Sequence, residues 1–112
     1  MSHVDMNENQ TRVLQLLRDL GGTKEEVAAT LGEQGITGIP DDPCLCPIVN
    51  YLEQNDIAVT SVSSMEIRAW GELLLVSDEV PEPVAEFINE FDAYPWDFRD
   101  LVNQQWLEEH PA

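Results

Sequence analysis

Twenty-two carboxylates against five basic side chains leave this 112-residue chain at a net charge of −17. Self-repulsion on that scale opposes compaction, so apolar burial has to hold any fold the chain adopts. The 43% hydrophobic content is ordinary globular usage, which predicts an ordered protein despite the charge. A chain of this length is one domain and can bury a modest core without metals or disulfides. The same imbalance repels nucleic acid and anionic membrane and attracts basic surfaces. A compact domain of this length is roughly 34 Å across. Duplex DNA of that length carries roughly 20 charges, at one per ~1.7 Å. The charge density is therefore expected to approach that of DNA. The plainer reading is that the charge serves solubility or adaptation to a salty cytoplasm; Lys24 is the only lysine.

Residues 1–6 read as a flexible tail and residues 7–112 as a single domain. A first helix is predicted over residues 7–20, with Val13, Leu14, Leu16, Leu17 and Leu20 inward and Gly21-Gly22 as its stop. Thr23-Lys24-Glu25-Glu26 reads as a capping box opening a second helix, with Val27, Ala28 and Leu31 inward. A loop over residues 36–45 leads to a third helix capped at Cys46, because Pro47 fits the first helical turn. Ile57–Val62, Met65–Trp70 and Leu73–Val76 read as strands, separated by Ser63-Ser64 and by a two-residue Gly71-Glu72 turn. They form a short antiparallel meander, or a hairpin with a bulge at Gly71. Val84, Phe87, Ile88 and Phe91 follow helical spacing after Pro81 and Pro83. Asp97 is expected to cap one last helix carrying Phe98, Leu101, Val102 and Trp106. The order α-α-α-β-β-(β)-α-α makes a small α+β domain.

Gly35-Ile36-Thr37-Gly38, the run Cys46-Pro47-Ile48-Val49-Asn50-Tyr51-Leu52, and Val84-x-x-Phe87-x-x-x-Phe91-Asp92-x-Tyr94-Pro95 are distinctive. Together they resemble short uncharacterised actinobacterial proteins with a Cys-Pro-x-x-x-Tyr-Leu helix, a small hairpin and a Phe-Asp…Tyr-Pro helix end. The resemblance spans roughly residues 25–95 and implies a similar fold and a cytoplasmic bacterial setting. It brings no activity, cofactor or catalytic residue with it. The cytoplasmic expectation also rests on the opening Met1-Ser2-His3-Val4-Asp5, which has neither a basic region nor an apolar run.

Cys44-Leu45-Cys46-Pro47 is the sharpest local feature. A thiol at a helix N-terminus feels the helix dipole and free amides, which favour thiolate and redox chemistry. Asp41 and Asp42 push the other way, and two small cysteines buried under the loop would be inert. A zinc site needs about four ligands. Histidines occur only at positions 3 and 110, so no metal and no cofactor is expected. Without an interior histidine, a phosphate loop or a nucleophile elbow, no enzymatic activity is expected.

Two surfaces remain. Glu82, Glu86 and Glu90 recur every four residues, opposite the Phe87/Phe91 face, either as a contact stripe for arginine and lysine or as an ordinary solvated side. Trp96 and Trp106 stand among Asp97 and Asp100, as anchors for a basic-rimmed groove or as core closure. The expectation is a small acidic protein that binds a basic partner protein through these seven residues. Its sharpest form is a DNA mimic that inhibits a nucleic-acid-binding protein. A thiol redox sensor at Cys44 and Cys46 is the alternative.

Overall fold

The computed structural model describes residues 2–40, 42, 44–70, 72–76 and 78–110; the side chains of residues 2–7, 60 and 72 are not described. The described residues form five α-helices, α1 (Ser2–Arg18), α2 (Lys24–Glu33), α3 (Pro47–Gln54), α4 (Glu82–Ala93) and α5 (Gln104–Glu109), and three strands, β1 (Val59–Val62), β2 (Glu66–Ala69) and β3 (Glu72–Val76). A 3-10 segment, Pro95–Leu101, joins α4 to α5. The strands make an antiparallel meander in the order β1-β2-β3. This is the α+β domain that the sequence pattern predicts.

Local chemistry accounts for most boundaries. The Thr23 hydroxyl accepts from the Glu26 amide at 3.1 Å, and the Glu26 carboxylate accepts in return from the Gly22 amide at 2.9 Å. Cys46 caps α3 with extended backbone, and Pro47 occupies the first turn. The Ser63 hydroxyl closes the β1–β2 turn, accepting from the amides of Met65 and Glu66 at 3.2 and 3.1 Å.

One continuous core holds the elements together. Val13, Leu17 and Leu20 from the first helical region meet Val27 and Leu31, Ile48 and Leu52, Ile67 and Leu75, and Val84, Phe87 and Phe91, all essentially without solvent contact. Fully burying each such side chain is worth about 1.5–3 kcal/mol. Helix α3 lies against β1 and α1 against β3, where Gln10 donates to the Leu74 carbonyl at 2.9 Å. Helices α2 and α4 pack with each other and with the 3-10 segment. Phe98 leaves helical geometry (φ −124°, ψ 42°) and places its ring 5.5 Å from Phe87 and 6.1 Å from Phe91.

Four details differ from the sequence expectation. The backbone is helical from Ser2, so residues 2–6, expected as a tail, continue α1, which also ends at Arg18 rather than residue 20. No proline or glycine interrupts residues 2–18, and adding a residue to an existing helix is far easier than nucleating one. The β2–β3 link falls one residue earlier than expected: Ala69 pairs with Glu72, and Trp70 takes a left-handed φ of +53°. Gly71 lies outside the described residues. The single last helix is divided, because Val102 is extended and forms an isolated parallel bridge with Gly38. Asp97 lies inside the 3-10 segment and is not its cap, and Asn103 starts α5 instead, its side chain accepting from the amides of Gln105 and Trp106. The longest axis measures 50 Å, not about 34 Å. A duplex of 50 Å carries roughly 29 charges, so −17 is little more than half the density of DNA.

Candidate functional site

The Gly38–Val102 bridge fixes where the C-terminal region sits. Gly38 donates to the Leu101 carbonyl and accepts from the Asn103 amide, each at 2.8 Å. A Cβ at Gly38 would stand 2.4 Å from the Pro47 nitrogen and 2.6 Å from the Cys46 carbonyl carbon. Only glycine lets the chain at position 38 pass this close to the start of α3 while it bridges to Val102.

With the segment pinned there, a groove of about 690 Å³ opens between it and α2. The α2 wall offers Ala28, Ala29, Gly32 and Glu33, while the other wall runs from Trp96 to Leu101. The small α2 residues leave the room, because the larger apolar residues of that helix, Val27 and Leu31, are spent in the core. Trp96, Asp97 and Asp100 of the expected contact residues therefore share one concavity, and Glu33 adds a carboxylate that sequence reasoning missed. Arg99 lies on the same wall, leaving three carboxylates against one cation.

Trp96 is braced from behind. Its ring lies 5.6 Å from that of Trp106, and its indole N–H donates to the His110 carbonyl at 3.2 Å. His110 stacks on Trp106 with ring centres 4.2 Å apart. Trp96 stays 39% exposed while Trp106 is partly buried. Trp106 thus supports Trp96 rather than lining the groove itself.

The carboxylates of α4 do not line this groove. Glu82 and Glu86 are exposed, whereas Glu90 forms an ion pair with Lys24 of α2. That hydrogen bond, helped by the negative charge of Glu90, Glu25 and Glu86, raises the Lys24 pKa above its ordinary 10.5, against the opposing effect of burial. The chain's single lysine is thus held as a cation beside the stripe, and two of the three stripe carboxylates face water.

The two thiols differ sharply. Cys44 is exposed, and its amide donates to the Asp42 carboxylate at 2.9 Å. Cys46 is 3% exposed, and burial pushes its pKa from 9.0 up to about 11. The amides of Val49 and Ile48 at the start of α3 lower it, as the helix N-terminus leads one to expect, but desolvation outweighs them; Asp92 and Asp42 push it further up. Cys46 is accordingly a protonated core thiol at neutral pH, which opposes the redox reading centred on it. Asp41 lies outside the described residues.

Among the described residues, no group of three or more His, Cys, Asp or Glu side chains converges in a way that could hold a metal ion, and no helix is long and apolar enough to cross a membrane. No protein-family model matches the chain, and neither a curated protein nor a solved structure matches it significantly.

Proposed function

We propose that this protein is a small acidic binding protein, without catalytic activity, that takes a basic segment of a partner protein. The observation that carries this reading is the gathering of an exposed, braced Trp96 with Asp97, Asp100 and Glu33 around one groove. Its size, about 690 Å³, falls in the range of roughly 300–1,000 Å³ typical of ligand clefts. A lysine or arginine entering it meets an indole face for a cation–π contact and carboxylates for charge-assisted hydrogen bonds. The aliphatic stem of such a side chain fits against Ala28, Ala29 and Gly32. Glu82 and Glu86, exposed on α4, extend the negative field and speed the approach of a basic partner. In its sharper form the partner is a nucleic-acid-binding protein that this chain inhibits as a DNA mimic. Inhibition there rests on local carboxylate placement, since the average charge density is little more than half that of a duplex.

The test is capture from the native host's lysate at low salt, elution by a salt gradient, and titration of the purified partner. The expected partner is a basic protein released at moderate salt, whose affinity drops by at least tenfold for Trp96→Ala and for Asp97→Asn combined with Asp100→Asn. Duplex DNA displaces it if the mimic form holds. An affinity indifferent to salt and to the groove variants refutes the reading. Loss of binding through Glu82→Lys and Glu86→Lys alone moves the contact to α4.

A further inference from the structure

The carboxylates of the groove are accompanied by an arginine that they do not hold. The chain has five lysine and arginine side chains. Lys24 pairs with Glu90, Arg68 with Glu66, and Arg12 donates to the Asn55 carbonyl at 2.6 Å. Among the described residues, the side chains of Arg18 and Arg99 have no ion-pair, hydrogen-bond or ring partner. Arg18 ends α1, whereas Arg99 lines the groove with Asp97 and Asp100. The geometry of the 3-10 segment accounts for the free guanidinium. Three residues per turn set positions i and i+3 in one column, about 6 Å apart. Burial follows that period: Pro95 and Leu101 are buried and Phe98 packs its ring near Phe87 and Phe91, while Trp96, Asp97, Arg99 and Asp100 are exposed. Phe98 departs from helical angles without disturbing this alternation. Trp96 and Arg99 therefore share one outward column, and Asp97 and Asp100 the next. The segment presents an aromatic-cationic row beside an anionic row.

We propose that the groove takes a basic residue at the very C-terminus of the partner chain, its side-chain cation on Asp97 and Asp100 beside the Trp96 ring and its terminal carboxylate on Arg99. This inference rests on the basic-segment reading of the groove and adds the chemistry of the segment's end. A cation alone satisfies the carboxylates but leaves Arg99 facing a like charge. A chain-terminal arginine or lysine brings both charges on one residue. A carboxylate from a neighbouring side chain has to immobilise a second flexible side chain in the same groove. The Arg99 fork matches a carboxylate through two parallel hydrogen bonds. Arg99 is thus the specificity residue of the groove, and the aspartates and Trp96 supply the attraction for the basic group.

Net charge gives the test its contrast. A chain of −17 repels an added carboxylate, so without a dedicated cation the amide form of a basic peptide binds more tightly than the acid. Arg99 is expected to reverse that order. An acetylated short peptide, uncharged except for a last arginine, is titrated as free acid and as amide into the isotope-labelled full chain at about 0.05 M NaCl. Backbone amide and indole resonances report both the affinity and the place of binding. The acid is expected to bind roughly fivefold or more tightly than the amide, with the perturbed resonances in the groove. In Arg99→Gln the amide is expected to bind the more tightly of the two; resonances away from the groove check that this exposed substitution leaves the fold intact. If neither peptide binds, the basic-segment reading fails and this proposal with it. If both bind in the groove but the amide matches or exceeds the acid in the wild type, the basic-segment reading stands and the proposal is overturned. A preference for the acid that survives Arg99→Gln also overturns it. A peptide with its arginine inside the chain, followed by aspartate and an amide end, is expected to bind more weakly than the chain-terminal acid; equal binding overturns the assignment to a chain end.

Discussion

At single residues, close approach and burial outweigh the surface charge. Gly38 accepts no side chain, because its missing Cβ position is already occupied by the Cys46–Pro47 backbone. Gly38→Ala is expected to cost about 2–3 kcal/mol in urea unfolding, with the parallel bridge to Val102 lost. Cys46 gives a pH prediction. Its folded pKa of about 11 lies above the ordinary 9.0, so above pH 9 the unfolded chain gives up its proton first. The stability linked to this thiol is complete below pH 9 and lost as pH rises through 11, a loss of roughly 2–3 kcal/mol. Comparing stability from pH 8 to about 11 for the wild type and Cys46→Ala isolates it from the tyrosines and Lys24; the variant should show the shallower fall. At neutral pH, a thiol reagent should modify Cys44 readily and Cys46 only after denaturation.

Among elements, the C-terminal region departs most from a simple helix, and its caps carry the site. Asn103 starts α5 by accepting hydrogen bonds from two backbone amides, and α5 places Trp106 behind Trp96. Asn103→Ala should cost about 1 kcal/mol. It should also shift the tryptophan emission, as Trp96 loses its brace, while the Phe87–Phe91–Phe98 cluster stays in place. Thr23→Ala tests the same principle at the start of α2, at a residue that does not line the Trp96 groove. A similar loss of stability is expected there, with emission unchanged.

Over the whole molecule, charge and apolar burial pull in opposite directions. One continuous core runs through every layer, while the surface carries −17. Screening should therefore raise the thermal midpoint between about 0.02 M and about 0.5 M NaCl, since repulsion weakens faster than any attraction is lost. The described ion pairs, Lys24–Glu90 and Arg68–Glu66, are both partly exposed and oppose this trend only slightly. A midpoint that falls with salt would mean that those pairs outweigh the net repulsion.

The sequence by itself determined the elements whose signals are local. The Val84–Phe91 periodicity, the Thr23 capping box, Cys46-Pro47 at a helix start and the Ser63-Ser64 turn each depend on neighbours within about one or two helical turns, and each stands where the pattern puts it. Trp96, Asp97 and Asp100 were legible as candidates for the same reason: aromatic and acidic residues alternate over a short stretch. What needed the tertiary structure were contacts between distant parts of the chain. The Gly38–Val102 bridge divides the last helix, and no local rule at Val102 foretells a partner 64 positions earlier. Glu33 and the small residues of α2 become one wall of a groove only because the 3-10 segment is pinned opposite them. Lys24 takes Glu90 out of the stripe across two helices. Desolvation favours the buried, inert alternative at Cys46 over the thiolate one, since a helix N-terminus is visible in sequence but the depth of burial at Cys46 is not. Local hydrogen bonding and periodicity are written in adjacent residues. Burial, and the surfaces it leaves over, are properties of the folded chain as a whole.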